Sequence, residues 1–347
     1  MKVDDDLKLD FRDVLIRPRL GKLSSRKDVV LERTFQFSHS SATWTVFPLV
    51  ASNMDATGTI RMARALSKHG AITALSKYYS THELVPFFRS AASTNAFFSV
   101  GITSSDLERL QAVKAKTSIS KISVEVANGY IPDLPKFVSV LRRENSNAII
   151  TAGSVCTPEG TQALLRAGAD IVRVGIGSGS VCITRKVTGV GFPQLAAIIE
   201  CSQAAHEERG LICSDGGCAV PGDICKAFGA GADFVMLGGM LAGHRQCAGA
   251  ITYRIRGRKR VPVSMQFYGM ASDIAQEKHF GGKAAYRAAE GKAVSIPYRG
   301  DVENTVLAIK AGLRSMMTYI DASALSEVHA KTEFIKVGAQ LNTVFGD

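Results

Sequence analysis

The sequence predicts an α/β fold of the (β/α)8 type, a TIM barrel, with residues 1–347 forming a single domain. Eight short apolar segments are rich in β-branched residues, and most of them end on Gly, Asn, Asp or Ser. Helix-like segments separate most of them, which gives the strand spacing of roughly two dozen residues expected of successive βα units. One such unit also occurs twice. The predicted strands are 48–54, 71–77, 97–103, 121–127, 148–155, 171–177, 211–217 and 234–240.

The repeated unit covers the fifth to the eighth predicted strands. Such self-similarity indicates that one βα unit has been used twice. Within the unit, Thr157-Pro158-Glu159 predicts a helix N-cap, a first-turn proline and a first-turn acid, and Gly168 predicts the residue that ends the helix. The shared residues keep a constant offset of 63 positions: Gly153, Pro158, 167–170, Val172 and Gly175 recur as Gly216, Pro221, 230–233, Val235 and Gly238.

Two longer connections interrupt the regular spacing of the predicted strands, and both follow the carboxyl end of a strand. The first joins the sixth and seventh strands, and the second, at about 241–300, follows the eighth. In (β/α)8 barrels this end of the strands carries the active site. We therefore expect the second insertion to be a mobile flap over that site. Beyond it, a helix is predicted over 301–319, with Asp301 as its cap and a core-facing stripe of Val302, Val306, Ile309, Leu313 and Met316.

Composition indicates an ordinary globular protein with a small-molecule partner. Hydrophobic residues make up 46% of the chain, enough for a substantial core, and no charge-free apolar run reaches the length of a membrane span. The acidic N-terminus is unlike a signal or transit peptide, so a cytoplasmic location is expected. The net charge of +11 comes from dispersed basic residues, apart from the run 254–260. An anionic small molecule is therefore the expected partner, rather than nucleic acid or a membrane.

The cysteines and histidines show no metal or disulfide pattern. The seven cysteines are odd in number, lie in apolar segments and never occur as Cys-x-x-Cys, and the seven histidines show no metal-binding spacing. Most of the cysteines are therefore expected to be small core residues.

Cys182 is the exception, because it ends the glycine-rich loop after the sixth predicted strand. The loop reads Gly-Ile-Gly-Ser-Gly-Ser-Val-Cys over 175–182, and Arg185 follows three residues later. A glycine backbone can wrap closely around a ligand or ion, and main-chain donors with a nearby arginine favour the thiolate form of a cysteine. The pattern predicts a nucleophilic Cys182. The alternative is a flexible turn followed by a buried cysteine.

Paired glycines end the seventh and eighth predicted strands, at Asp215-Gly216-Gly217 and at Gly238-Gly239. These are the strand ends at which (β/α)8 barrels commonly bind phosphate through main-chain N–H groups. The pattern predicts a phosphate site there, with Asp215 bonded to ligand hydroxyls. The alternative is that the glycines form tight turns and that Asp215 is a capping residue.

Taken in order, the motifs of the chain closely resemble those of the GMP reductases, and the resemblance runs from Leu7 to Phe345. The related IMP dehydrogenases share the barrel, the cysteine loop and the phosphate glycines. Two features favour the reductases: no space follows the second predicted strand for the CBS regulatory domain that most dehydrogenases carry, and the flap lacks their Arg-Tyr pair. The matching motifs are Asn-Met-Asp at 53–55, Val-Ala-Asn-Gly-Tyr at 126–130, Gly-Ser-Gly-Ser-Val-Cys at 177–182, Ser-Asp-Gly-Gly at 214–217, Met-Leu-Gly-Gly at 236–239, Phe-Tyr-Gly-Met at 267–270 and Tyr-Arg-Ala-Ala-Glu-Gly-Lys at 286–292.

The resemblance implies a catalytic domain that converts GMP to IMP and ammonia with NADPH, a reaction of purine nucleotide salvage. In the implied chemistry the Cys182 thiolate adds to C2 of the purine and the 2-amino group leaves as ammonia. A covalent thioimidate then remains until hydride from NADPH releases IMP. Thr184 and Glu290 are the implied proton-transfer pair. Without the resemblance, Glu290 would be read as a solvated surface carboxylate.

The resemblance also implies ligand contacts, a cation site and an assembly. For the nucleotide the implied contacts are Asp215, Gly216, Gly217, Gly238, Gly239, Gly269, Met270, Ala271, Arg287 and Gly291. For NADPH they are Ser25, Arg26, Lys77, Glu125, Val126, Ala127, Ile176, Gly177, Met270, Tyr286, Arg287, Ser315 and Thr318. Lys77 and Arg26 would suit the extra phosphate of NADPH. A potassium ion is implied on carbonyls of Gly177, Gly179 and Cys182 with Arg185, and a homotetramer is implied because some cofactor contacts come from a neighbouring subunit.

Two other functions remain open. An IMP dehydrogenase-like enzyme would oxidise IMP to XMP, and a noncatalytic protein would bind a nucleotide or nucleic acid without needing Cys182 or Glu290. A dinucleotide-binding fold is disfavoured, because 175–179 lead into a cysteine loop and not directly into a helix. The chain also departs from the usual reductase residues at several positions: Glu125 replaces Asp, Ala271 replaces Ser, and Ser76 and Tyr78 flank Lys77 in place of His residues.

Overall fold

The computed structural model describes residues 3–282 and 288–338. In chain order the strands are β1 (Val14–Ile16), β2 (Arg33–Gln36), β3 (Thr43–Val46), β4 (Leu49–Ala51), β5 (Ile72–Ala74), β6 (Ala96–Val100), β7 (Lys121–Glu125), β8 (Ile149–Val155), β9 (Ile171–Val174), β10 (Leu211–Asp215), β11 (Phe234–Leu237), β12 (Ile251–Arg256), β13 (Lys259–Tyr268), β14 (Ala293–Pro297) and β15 (Phe334–Lys336). The α-helices are α1 (Ile60–Ser67), α2 (Thr81–Phe88), α3 (Ser104–Lys114), α4 (Asp133–Glu144), α5 (Pro158–Arg166), α6 (Thr184–Thr188), α7 (Gln194–Glu207), α8 (Pro221–Gly229), α9 (Asp273–Phe280), α10 (Val302–Tyr319) and α11 (Val328–Lys331).

Strands β4 to β11 form a closed barrel in the order β10-β11-β4-β5-β6-β7-β8-β9. The ring closes between β11 and β4, which pair in parallel with Val235 opposite Leu49. Each barrel strand falls within or overlaps one of the predicted segments, so the predicted (β/α)8 fold is confirmed. Most strands are shorter than predicted at their carboxyl ends, because the Gly, Asn and Ser residues there belong to the connecting loops.

The internal repeat corresponds to β8-α5-β9 and β10-α8-β11, as predicted. Thr157 caps α5 by accepting a hydrogen bond from the amide of Gly160. The residues after the two helices, Gly168 and Gly231, have φ values of 107° and 108°, a conformation that favours glycine. The repeated aspartates also act alike: Asp170 accepts from the amide of Ile150 at 2.8 Å, and Asp233 accepts from that of Ile212 at 2.9 Å. The motif therefore joins the amino ends of adjacent barrel strands.

A hairpin of β2 and β3 closes the amino end of the barrel. Phe35 from β2 stacks on Phe234 of β11, with ring centroids 4.3 Å apart, and Trp44 from β3 packs edge-on against Phe97 of β6. Both strands pair antiparallel, and their apolar residues join the buried cluster inside the barrel. Because this end is filled by aromatic side chains, a ligand has access to the barrel strands from the carboxyl end.

The insertion after β11 contains a three-stranded antiparallel sheet and helix α9. The sheet order is β12-β13-β14, and α9 follows β13. Beyond the insertion, α10 confirms the predicted last helix: Asp301 caps it by accepting from the amide of Glu303, and the predicted stripe from Val302 to Met316 is buried. Among the described residues, no helix combines the length and the apolar character needed to cross a membrane.

Candidate active site

A cavity of about 670 Å³ opens at the carboxyl ends of the barrel strands. It is enclosed by three parts of the chain: the strand ends, the glycine-rich loop after β9, and the insertion after β11. The residues implied by the resemblance that line it are Lys77, Glu125, Val126, Ala127, Gly179, Cys182, Thr184, Asp215, Gly216, Gly217, Gly238, Gly239, Gly269, Met270, Ala271, Glu290 and Gly291. The fold thus gathers around one space all three implied catalytic residues, most of the implied nucleotide contacts and five of the thirteen implied cofactor contacts.

A second group of implied residues lies away from this cavity. Ser315 and Thr318 are on α10, and the short helical turn Arg26–Asp28, which Ser25 caps, packs against that helix. Ile176 is partly buried against the barrel core. Tyr286 and Arg287 fall outside the described residues. The cavity and the α10 surface are therefore two separate places at which the implied contacts are found.

The glycine-rich loop approaches β10 closely enough to require glycine at its start. Gly175 has a φ of 150°, and a Cβ at this position would overlap the carbonyl oxygen of Asp215. Further along, the amide of Gly217 donates to the carbonyl of Ser178 at 3.0 Å, and the amide of Cys182 donates to that of Gly179 at 3.0 Å. These contacts fix the loop above the barrel. The bond from Gly217 also fits the alternative interpretation of the paired glycines, in which they form tight turns.

Cys182, Thr184 and Glu290 form a continuous hydrogen-bonded chain. The sulfur of Cys182 is 3.1 Å from Oγ1 of Thr184, and that hydroxyl donates to Oε2 of Glu290 at 2.8 Å. A hydroxyl has one proton to donate, so Thr184 accepts from the thiol while it donates to the carboxylate. Cys182 is a free, half-buried thiol. The arrangement can carry a proton from the thiol to Glu290 and back.

Backbone pairing holds Glu290 beside the cysteine loop. Cys182 and Gly291 form an antiparallel bridge. The amide of Ile183 donates to the carbonyl of Glu290 at 2.8 Å, and the amide of Lys292 donates to that of Val181 at 2.9 Å. The two insertions of the barrel therefore meet across the site. A carboxylate that the sequence alone would leave on the surface becomes part of the cavity wall.

The contacts of Arg185 join it to Phe192, Asp10 and the glycine-rich loop. Its guanidinium donates to the carbonyl of Phe192 and lies 3.9 Å from the carboxylate of Asp10, while its stem packs on Gly177. Arg185 thus links the glycine-rich loop to the N-terminal segment.

The implied cation site consists of backbone oxygens in one short loop. Within 3–282 and 288–338, no group of three or more His, Cys, Asp or Glu side chains could hold a metal ion. Carbonyl oxygens are the ligands that replace the hydration shell of potassium in proteins. The carbonyl of Gly179 accepts one hydrogen bond, from Cys182, and retains a second lone pair. The residues present therefore fit a potassium ion better than a transition metal.

Asp215, at the end of β10, is held by a buried arginine that the sequence analysis missed. Arg173 of β9 donates to Oδ2 of Asp215 from Nε at 3.2 Å and from Nη2 at 2.6 Å, and Ser154 donates to the same oxygen at 3.3 Å. Among the described residues, these three bonds all use Oδ2, so Oδ1 is available to a ligand hydroxyl. The signal in the sequence was the single charged residue in the apolar strand Ile171–Val174.

Glu125, at the end of β7, faces the same arginine across the barrel mouth. Burial raises the pKa of Glu125, although the positive charges of Arg173 and Lys77 oppose that rise. Asn53, which follows β4, donates from its side-chain amide to Glu125. The charges of Asp215 and Glu125 in turn raise the pKa of Arg173 against the effect of burial. One guanidinium therefore balances the nucleotide-side and cofactor-side carboxylates that the resemblance implies.

Comparison with known proteins identifies the family of the chain. Residues 8–342 match the model of the IMP dehydrogenase / GMP reductase domain family. The chain belongs to this family. It is 49% identical over 347 residues to GMP reductase 1 of Homo sapiens, and 49% identical over 349 residues to GMP reductase of Klebsiella pneumoniae, covering in each case 99% of both chains.

Solved structures of the family share the barrel. A GMP reductase variant from Trypanosoma brucei, in complex with guanosine 5'-monophosphate, superimposes with a TM-score of 0.83 over 96% of both chains at 22% identity. Inosine 5' monophosphate dehydrogenase from Legionella pneumophila superimposes with a TM-score of 0.79 at 34% identity, over 95% of this chain and 98% of that one. The first similarity concerns the fold alone, and the second also lies within the family.

Proposed function

We propose that this chain is a cytoplasmic, NADPH-dependent GMP reductase that converts GMP to IMP and ammonia in purine nucleotide salvage. The observation that carries the proposal is the chain Cys182–Thr184–Glu290, with its distances of 3.1 and 2.8 Å. Full-length identity of 49% with proteins named GMP reductase supports the same assignment. We further propose that 1–347 act as one catalytic domain.

The proposed chemistry begins with transfer of the thiol proton of Cys182 through Thr184 to Glu290. The thiolate adds to the electron-poor C2 of the purine, and the proton returns through Thr184 to the 2-amino group, which leaves as ammonia. NADPH, when bound, would supply the hydride that replaces the sulfur at C2. The C2–S bond would break to release IMP and the Cys182 thiolate, which regains its proton from solvent. Ala288 lines the cavity beside Glu290. The flap lacks the water-activating Arg-Tyr pair that the resemblance assigns to the dehydrogenases, and this favours reduction over hydrolysis.

The two ligands would occupy opposite sides of the cavity. On the nucleotide side, Oδ1 of Asp215 would accept from ligand hydroxyls, and amides at Gly216, Gly238 and Gly239 would face the phosphate. On the cofactor side, Lys77, Glu125, Val126 and Ala127 would contact the reduced nicotinamide dinucleotide. Lys77 would bind its extra phosphate.

The α10 group suggests how an assembly completes the cofactor site. Ser25, Arg26, Ser315 and Thr318 lie away from the cavity of their own chain, beside α10. We infer that they contact the cofactor bound to a neighbouring subunit of a homotetramer. A potassium ion on the carbonyls of Gly177, Gly179 and Cys182 would hold the cysteine loop in shape.

The proposal is tested by following nicotinamide absorbance with purified protein and potassium, in parallel with GMP plus NADPH and with IMP plus NAD⁺. We expect loss of NADPH with GMP, release of ammonia in equal amount, and no turnover in Cys182→Ser. Absorbance gained only with IMP and NAD⁺ would show that the chain is a dehydrogenase. Nucleotide binding without turnover, unchanged in Cys182→Ser and Glu290→Gln, would support a noncatalytic binder instead.

A further inference from the structure

The turn at 269–272, which follows β13, holds the backbone amide of Glu290. That amide donates to the carbonyl of Ala271 at 3.1 Å, and the amide of Gly269 donates to the carbonyl of Lys292 at 3.1 Å. A Cβ on Gly291 would lie 3.1 Å from the Cα of Gly269, so the two segments pack backbone against backbone. The position of Glu290 therefore depends on where this turn lies.

Tyr268, the last residue of β13, joins the start of this turn to the barrel. Its hydroxyl donates to Oδ2 of Asp55, which follows β4, at 2.8 Å. The tyrosine is 6% exposed. Burial and the hydrogen bond to the Asp55 carboxylate both raise the pKa of Tyr268, so the phenol keeps the proton that it donates. The neighbours Phe267 and Gly269 line the cavity, whereas the hydroxyl of Tyr268 lies against Asp55.

Asp55 is itself held by donors on both carboxylate oxygens. Ser76 donates to Oδ1 at 3.2 Å, and the ammonium of Lys278 donates to Oδ2 at 2.9 Å. Nε2 of His279 is 2.7 Å from Oδ2, and because an ionised carboxylate only accepts, this nitrogen carries the proton. Burial acts to raise the pKa of Asp55, but the hydrogen bonds from Lys278, His279 and Tyr268 outweigh it and lower the pKa. Asp55 therefore stays ionised and is a fixed acceptor for the phenol.

We propose that Tyr268, anchored on Asp55, is a positioning residue that holds Glu290 within hydrogen-bond reach of Thr184. The proposal rests on the proposed function for the part that Glu290 takes in proton transfer. The carboxylate is 2.8 Å from the Thr184 hydroxyl, so a displacement of about 1 Å would break the hydrogen-bonded chain to the thiol. Lys278 belongs to α9, beyond the turn, so its bond to Asp55 holds that helix instead.

The test compares Tyr268→Phe with Lys278→Met, each of which removes one donor to Oδ2 of Asp55. The readout is the rate at which iodoacetamide alkylates Cys182 without added ligands, measured by mass spectrometry of its peptide. In Tyr268→Phe this rate should fall about 10-fold, and kcat should follow, because Glu290 is no longer placed to take the thiol proton. In Lys278→Met both should stay within about twofold of the wild type. Both variants should lower Tm by a similar amount.

A second comparison repeats Tyr268→Phe in the Glu290→Gln background. Because Tyr268 acts through Glu290, its substitution should slow alkylation no further there, whereas independent effects would multiply. Equal slowing in Tyr268→Phe and Lys278→Met, no slowing in either, or undiminished slowing in the Glu290→Gln background would overturn the proposal. A wild type that does not convert GMP would refute the proposed function, and alkylation in the absence of ligands would still decide the role of Tyr268.

Discussion

Replacing Thr184 with valine tests whether the hydroxyl carries protons between Cys182 and Glu290. Valine has nearly the same shape as threonine but lacks the hydroxyl. In the structure that hydroxyl is 3.1 Å from the sulfur and 2.8 Å from the carboxylate, so the carboxylate is two hydrogen bonds away from the thiol. Without Oγ1, neither thiol deprotonation nor protonation of the leaving amine has a direct route.

The magnitude follows from what such a route contributes. A positioned general acid or base typically accelerates a reaction by about 10²–10⁴-fold. A water molecule can enter the gap and transfer part of the protons. We therefore expect kcat for GMP-dependent NADPH oxidation to fall by about 10²–10³-fold, which corresponds to an increase of about 3–4 kcal/mol in the activation free energy. The KM for GMP should change little, because Thr184 contacts the reacting groups and not the phosphate side of the cavity.

The assay compares steady-state kcat with the rate at which iodoacetamide alkylates Cys182. Both should fall in Thr184→Val, because both require the thiolate. Thr188→Val is the matched control: this hydroxyl is in the same helix, α6, and donates to the carbonyl of Thr184 instead of to the site. A Thr184→Val variant with kcat within about threefold of the wild type would refute the relay.

Three further substitutions test the surroundings of the site. Arg173→Lys keeps the charge but loses the paired donation to Asp215, so the KM for GMP should rise about tenfold, and an unchanged KM would contradict the assigned support. Asp55→Asn should lower Tm by about 5 °C at pH 7. The pKa of Asp55 is lowered in the folded protein, so the ionised carboxylate stabilises the fold above the unfolded pKa of 3.8, and this stabilisation is lost as the pH falls further. The difference in Tm between wild type and variant should therefore shrink below about pH 4. Gly175→Ala would place a methyl group against the carbonyl of Asp215 at a φ of 150°, and circular dichroism should show a lower Tm, a result absent if the loop can shift freely.

The sequence predicted the barrel well because each βα unit carries its own signals. The eight apolar segments and the repeated Ala-Gly-Ala-Asp motif are local, and the structure confirms both. The partner of Cys182 is not local: Glu290 lies more than one hundred positions away, and no periodicity links the two. Only the resemblance to a known family supplied that pair. The spatial relation became visible once both insertions were placed around the same cavity.

The residues that were missed share a physical reason. Arg173 acts through Asp215 on the adjacent strand β10, whereas Asn53, after β4, acts through Glu125 of β7, three strands away; closure of the barrel sets both partners. An arginine in an apolar strand signals a buried charge, but the sequence does not say which carboxylate neutralises it. The contacts of Arg185 with Asp10 and Phe192 were also beyond the sequence, because they depend on how the loop turns at its glycines.

The barrel and the insertion contribute different groups to the site, which explains how a fold shared with dehydrogenases can serve a different reaction. The strand ends supply Asp215, Glu125 and Arg173, and within the part of the chain that the structure describes no hydrogen-bonded chain links these side chains to the thiol. The group that can take the thiol proton comes from the insertion and is held in place by backbone bonds to the cysteine loop. A change in the insertion can therefore alter proton transfer while leaving the ligand-binding strand ends intact. Within this family, the chemistry should accordingly follow the residues opposite Cys182 more closely than those of the barrel.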